Sequence, residues 1–361
     1  MSKHTTSGMA RINLSVGQFT SLAVVLICAV VLGACSRSSG LTLNYSDHDP
    51  LGGMRTQFVQ EVWLPEISRQ SNDQIEVRDF WGGALLSSKE ILKGVGDGVA
   101  DIGMVYPGHY PRQLVAHSVF SLFPRGPTNF TDMIELYRRA YAEIPALADE
   151  LRRVNVMPLM ITAGLPGAFA STSSLETLDD VAGRRWRGGG KWPLRYLENV
   201  GAVPVAVPWG DTYMALQTGT LDGALANYDG MHMTKLDEAA PNVLISRELW
   251  YALPFLHVVN LRKFERLPAD ARDAMLRAAE VAERKFAHTY ERAFEEIRST
   301  QLSLGYTVNE ISPDDLARWE NTDALLELRA EWIREAESVG LENASDVMEK
   351  VTALHKEVMT Q

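Results

Sequence analysis

The segment from Leu178 to Gly223 constrains this chain more than any other. Gly183-Arg184-Arg185-Trp186-Arg187 reads as a short strand, and a helix follows it. Val203, Val205 and Val207 alternate as a second strand does; after the Pro208-Trp209-Gly210 turn come another short helix and the strand lead-in Leu221-Asp222-Gly223. Strands alternating with helices belong in an open α/β sheet, whose ligands bind beyond the carboxyl ends of the strands. Arg187 and Trp209 fall at such ends. Arg187 is followed by Gly188, Gly189 and Gly190, which lack a Cβ and let a ligand approach the backbone. A guanidinium placed there is a planar fork matched to a carboxylate.

The same alternation runs along the rest of the chain. Leu41–Ser46, Ile75–Trp81, Asp101–Tyr106 and Val156–Ala163 are expected as strands, and residues 53–70, 88–97 and 132–154 as helices. Gly164 to Gly167, with Pro166, interrupts both periods and marks a crossing into a second lobe. The chain is expected to return near Tyr251, because Ala252–Asn260 again reads as a strand. From Ala269 to Leu304, Met275, Ala279, Ala282, Phe286, Tyr290, Ala293 and Ile297 keep helical spacing until Gly305 ends the run. Such a helix is roughly 50 Å long at about 1.5 Å per residue, more than one small lobe needs. It is expected to bridge both.

The N-terminus reads as an export signal. Lys3 and Arg11 precede the apolar run Leu22–Leu32, which is short for a membrane span, and the run ends in Leu32-Gly33-Ala34-Cys35. That ending looks like a bacterial lipoprotein box, with residues 1–34 removed, Cys35 acylated and residues 35–40 as a tether. An ordinary signal peptide cut near Ala34 is the other reading, and Met9 is an alternative start. Removing residues 1–34 takes away two of the 35 basic and none of the 46 acidic residues, so the net charge goes from -11 to -13. A chain this acidic is a poor general nucleic-acid binder. The two cysteines are Cys28 and Cys35, which excludes an internal disulfide or a cysteine metal site from the exported part. The 327 residues that remain exceed one ordinary domain, and two are expected.

The segment 178–223 resembles the solute-binding proteins of TRAP transporters, the tripartite ATP-independent periplasmic family. The resemblance is carried by Gly183 to Arg187, Gly201 to Val205, Trp209, Tyr213 to Gln217 and Asp222-Gly223. It extends to Trp81-Gly82-Gly83 through Asp101-Ile102-Gly103, and to Ala252-Leu253-Pro254 through Leu267-Pro268. It implies an α/β, bilobed periplasmic-binding-protein-like fold, with hinge strands and a long connecting helix. On that plan lobe I takes residues 41–164 and about 252–290, lobe II 165–251 and about 291–345, and residues 346–361 form a C-terminal helix. The implied function is an extracytoplasmic receptor, not an enzyme and without cofactor, that passes a small organic acid to a sodium-coupled membrane permease. A receptor serving a sensor kinase or chemoreceptor is the alternative; an exported enzyme would need a catalytic group that is not visible.

Residue by residue, the resemblance assigns Arg187 to the ligand carboxylate and Trp209 to a ring packed on the ligand body. Tyr106 stands where the family often places a polar contact, although a tyrosine also fills cores. Departures narrow the ligand. Ala224-Leu225-Ala226-Asn227 replaces the family's usual Gln-Glu-Asn-Pro, so the asparagine contact is either displaced to Asn227 or lost, and Gly167 replaces a second arginine of the sialic-acid binders. Ser46 and Ser87 stand at positions of polar contacts, while Phe169, Trp81, Trp192 and Tyr228 are candidates for aromatic surface. Together these lean to a monocarboxylate with an apolar or aromatic body.

Other chemistry is thin. Gly94-Val95-Gly96-Asp97-Gly98 lacks the strand-then-helix context of a dinucleotide site and reads as a helix end. Asp47-His48-Asp49 reads as a polar turn rather than a metal site, and His109, His117, His232 and His257 have no ligand spacing. No nucleophile and base pair up.

Overall fold

The computed structural model describes residues 40–251 and 253–360. The chain forms two sheets, and the order in which it visits them sets the architecture. Strands β1 (Leu41–Ser46), β2 (Ile75–Phe80), β3 (Ile102–Val105) and β4 (Val156–Thr162) enter the first sheet, and β5 (Gly167–Ser171), β6 (Arg185–Arg187), β7 (Val203–Val205), β8 (Gly223–Asn227) and β9 (Asn242–Ile245) the second. Then β10 (Phe255–Asn260) returns to the first sheet and β11 (Thr307–Glu310) to the second. The strand orders are β2-β1-β3-β10-β4 and β11-β9-β5-β8-β6-β7. This is a bilobed α/β fold, and the strands on either side of each crossing join the lobes.

In the first sheet β1 and β3 run parallel, with Ser46 opposite Gly103, while β10 runs antiparallel to both β3 and β4. In the second, β5 runs antiparallel to β8 and β9, whereas β6 lies parallel between β7 and β8, with Arg187 opposite Val205 and Ala224. Parallel strands need a helix between them, and helices Lys191–Asn199 and Thr212–Gln217 supply it. The carboxyl ends of β6, β7 and β8 therefore open on one edge of the second lobe.

The helix Ala269–Ser303 serves as core for both lobes. Its first half presents Met275, Ala278, Ala279, Ala282 and Phe286 as a buried stripe, and the Phe286 ring meets Phe58 and Phe130 edge-on. The small alanines let the helix lie close to β4, where the buried Glu283 carboxylate accepts the Ile161 N–H at 2.7 Å and pairs with Arg138. Its second half buries Phe294, Ile297 and Gln301, with Phe294 against Tyr228 in the second lobe. Full burial of one such aromatic side chain contributes about 1.5–3 kcal/mol, so the helix ties the lobes through several large terms. Gly305, at φ +82°, takes the left-handed conformation that ends it, and Tyr306 N–H closes back on Gln301 O at 3.0 Å.

Local chemistry shifts several expected boundaries. Residues 132–154 are not one helix: Pro145 forces Ile144 into an extended conformation, splitting the run into Phe130–Glu143 and Pro145–Arg153. The helix expected from Ser88 starts at Ile91, since Glu90 folds back to accept the Ser87 N–H at 3.0 Å. Residues 54–70 keep the expected helix but pass through a π turn at Val59–Trp63. Helix Thr322–Ser338, within the range assigned to lobe II, also packs on the first lobe: Trp332 Nε1 donates to Ser118 Oγ at 2.8 Å. The C-terminal helix Ala344–Met359 lies against Phe123 and helix Phe130–Glu143 through His355 and its apolar face. The lipoprotein signal, Cys35 and the tether up to Ser39 lie outside the described residues.

Candidate functional site

Three strand ends of the second lobe build one side of the site. Arg187, the last residue of β6, is only 8 % exposed, and its Nε–H donates to Val207 O at 3.3 Å. Its guanidinium carbon lies 5.0 Å from the centre of the Trp209 ring, in cation–π range. Trp209 holds that place because Pro208 ends the β7 run and the 3-10 turn Trp209–Asp211 carries the chain into the next helix. Asp222, one step before β8, takes the neighbouring Arg185 at 2.8 Å, so Arg185 is spent on the sheet edge. Among the described residues Arg187 has no carboxylate partner. A buried cation left this way is unfavourable unless something supplies the anion.

The hinge segment and the first lobe supply the other walls. Gly189 N–H donates to the Tyr251 hydroxyl oxygen at 2.6 Å, and a Cβ on Gly189 would stand 2.2 Å from that oxygen. Only glycine fits. Burial pushes the Tyr251 hydroxyl upward, with the Arg187 charge opposing; burial and then Tyr251 push Tyr106 upward, again opposed by Arg187. Both tyrosines stay neutral next to the guanidinium, and the Tyr251 oxygen acts as an acceptor. Tyr106, Gly189, Tyr196, Leu225, Trp250 and Tyr251 line a cavity of about 20 Å³, room for a single water. Arg187 borders it without lining it, its Nη1 lying 3.4 Å from the place a Gly189 Cβ would take.

Deeper in the first lobe lies a second arginine with the opposite surroundings. Arg55 Nη1 donates to Asp47 Oδ2 at 2.5 Å and Nη2 to Asp49 Oδ2 at 2.6 Å. Tyr45 donates its one hydroxyl hydrogen to Asp47 at 2.8 Å, so His257 must give its Nδ1–H to the Tyr45 oxygen at 3.1 Å. His257 Nε2 then accepts from Thr162 Oγ1 at 3.0 Å. Burial, and next the Arg55 charge, hold His257 down at about 3, consistent with a neutral imidazole. Asp229 of the second lobe, pushed up to about 6 by burial, accepts the Leu165 N–H at 2.7 Å in the crossing.

The residues expected at the site divide in two. Arg187, Trp209 and Tyr106 converge. Asn227, at the end of β8, gives its amide to Leu165 O at 2.8 Å and packs on Gly164, so it latches the crossing. Ser46 is fully buried at the end of β1 with its hydroxyl unpartnered. Three candidates lie elsewhere. Phe169 is a core side chain between Trp186 and Trp319, because β5 is the covered centre of its sheet. Tyr228 turns inward, its hydroxyl donating to Gln301 at 2.5 Å. Ser87 is exposed and bonded to Glu90 at 2.5 Å. Of the other rings, Trp81 donates to Asp79 and Trp192 stacks under Lys191. Tyr251, which lines the cavity, was not among the expected residues, and its position in the hinge was the only signal for it.

The model of the bacterial extracellular solute-binding proteins, family 7, matches residues 50–329. The chain belongs to that family. It is a TRAP-type solute-binding receptor, therefore, and not an enzyme. The ectoine-binding periplasmic protein of Halomonas elongata is 23% identical over 75% of this receptor and 77% of that protein. Among solved structures, a TRAP solute-binding protein from Rhodoferax ferrireducens with copurified benzoate superimposes with a TM-score of 0.78 at 19% identity, covering 89% of this receptor and 99% of that chain. A marine-metagenome TRAP solute-binding protein specific for aromatic acid ligands, in complex with 3-hydroxybenzoate, gives 0.75 at 21%, covering 89% and 99%. The fold of the receptor is theirs, and no helix of its described residues is long and apolar enough to cross a membrane.

Proposed function

We propose that this receptor closes its two lobes on an organic monocarboxylate with an apolar or aromatic body, Arg187 holding the carboxylate and Trp209 and Tyr106 flanking the body. The observation that carries the reading is the buried Arg187 guanidinium, which has no carboxylate partner among the described residues and lies against an indole ring. Arg55 is paired with Asp47 and Asp49, so among the described residues one buried guanidinium is left without a carboxylate, and one ligand carboxylate matches it. The benzoate and 3-hydroxybenzoate bound by two structural neighbours are of this kind. A cavity of about 20 Å³ cannot take such an acid, so entry requires the lobes to part at the crossings 163–166 and 246–254.

Benzoate titrated calorimetrically into the purified receptor tests it. Arg187→Ala is expected to weaken binding by about 2–5 kcal/mol, with little rescue by lysine, which lacks the planar fork. Unchanged affinity in a folded Arg187→Ala protein removes Arg187 from the role. The receptor's partner is proposed to be a sodium-coupled permease of the TRAP type, and Cys35 its lipid anchor. Cys35→Ser should move the protein from the detergent phase to the aqueous phase; a water-soluble wild type with a free N-terminus excludes the anchor and leaves ligand binding untouched.

A further inference from the structure

Two imidazoles meet on the first-lobe side of the site. His48 follows β1, and His109 ends the 3-10 turn Pro107–His109 that follows β3; their ring centres are 5.0 Å apart. Each has a buried Nδ1 without a hydrogen-bond partner. His109 also meets Tyr106 edge-on at 5.1 Å, and Tyr106 lines the cavity that Gly189 and Tyr251 bound. One aromatic ring thus separates the imidazole pair from the neighbourhood of Arg187. Buried polar atoms of a folded protein are nearly always paired with protein, water or ligand, and here two open nitrogens stand side by side next to the candidate site, where one hydrogen-bonding group can reach both.

Charge decides what kind of group. Asp47 and Asp49 place two carboxylates against the one guanidinium of Arg55 beside His48, while Lys89 and Arg187 act on His109 as the opposing cations. Burial first and His48 second hold His109 down at about 4, so it offers no cation at neutral pH. A second ligand carboxylate would therefore gain no ion pair from His109. A metal is no better: among the described residues no group of three or more His, Cys, Asp or Glu is arranged to hold one. A hydroxyl both donates and accepts, and so satisfies a neutral imidazole in either tautomer.

We propose that His48 and His109 form a second recognition point that reads a hydroxyl group on the body of the acid whose carboxylate Arg187 holds. This rests on the Arg187 reading and narrows it, from monocarboxylates in general to hydroxylated ones. The pair would act as a specificity determinant, with the carboxylate providing affinity.

The test compares benzoate and phenylacetate with their ring-hydroxylated isomers and with isophthalate, by calorimetry on the wild type and on a His48→Ala/His109→Ala double variant. At least one hydroxylated isomer is expected to bind the wild type roughly tenfold tighter than its parent acid. Isophthalate should bind more weakly than benzoate. In the double variant the hydroxyl preference should vanish while parent-acid affinity stays within about threefold. If the double variant does not fold, His109→Asn alone should reduce the preference in a protein that still binds the parent acid. A preference that survives these changes, or none in a wild type that binds benzoate through Arg187, overturns the hydroxyl subsite alone. A wild type that binds none of the acids overturns it together with the Arg187 reading.

Discussion

Among the described residues two arginines are buried, one in each lobe, and the protein treats them in opposite ways. Arg55 is 4 % exposed and held by Asp47 and Asp49; Asp47 is in turn held by Tyr45, Tyr45 by His257 and His257 by Thr162. Arg187 is 8 % exposed and has a carbonyl and an indole face but no anion. The first is a closed network, satisfied within its own lobe. The second has no counter-charge among the described residues, which is the ground for the proposed carboxylate partner. The difference teaches that burial of a charge alone is no pointer to a binding site, whereas burial with the counter-charge missing is a reason to propose one.

The comparison can be broken most decisively by stability measurements. Arg55→Ala leaves the buried Asp47 carboxylate without its cation and is expected to lower the unfolding free energy by about 3–5 kcal/mol in urea titration. Arg187→Met removes an unpaired charge and is expected to leave stability within about 1 kcal/mol of the wild type, or slightly above it. Equal losses in the two variants would show that Arg187 is structural too. Affinity should sort them the other way, with the large loss at Arg187.

Acid should attack the first network preferentially. The folded-state value of His257 lies at about 3, below the ordinary imidazole value near 6.5, so the unfolded chain takes up its proton first. Stability is therefore complete above about pH 6.5 and declines as pH falls toward 3. Asp229 has the reverse sign: its value near 6 lies above the usual carboxyl range, so its contribution is present at low pH and is lost as pH rises through 6. Thermal unfolding across pH 4 to 7 checks both, with His257→Gln flattening the acid limb and Asp229→Asn removing the opposing slope. The smallest effect belongs to Trp209→Ala, which should weaken ligand binding by about 1 kcal/mol through the lost cation–π face and packing. A sharp fall in melting temperature with affinity intact would assign Trp209 to interlobe packing instead.

The strand–helix alternation was legible because it rests on periods of two and 3.6 residues that any short window displays. The same holds for the long helix, where Met275 to Ile297 kept their spacing and Gly305 closed the run. The place of Arg187 at a strand end was legible because the three glycines that follow it break the strand pattern. Phe169 and Tyr228 were not placed correctly. An aromatic residue at a strand end has the same sequence signature whether it faces a cleft or a core, and here Trp319 and Gln301, far along the chain, settled the matter. Pro145 was a readable helix break that the apolar spacing around it concealed.

By itself, then, the amino-acid sequence determined the two-lobed α/β plan, the crossings and the strand end that carries Arg187, since each depends on local backbone geometry. Which charges are satisfied was decided only by the tertiary structure. Tyr45 reaches His257 across 212 positions, Gly189 reaches Tyr251 across 62, and His48 finds His109 through the packing of separate strand ends. Hydrogen bonds and charge pairing act over a few ångströms in space, and no spacing along the chain encodes which distant groups folding will bring within that range.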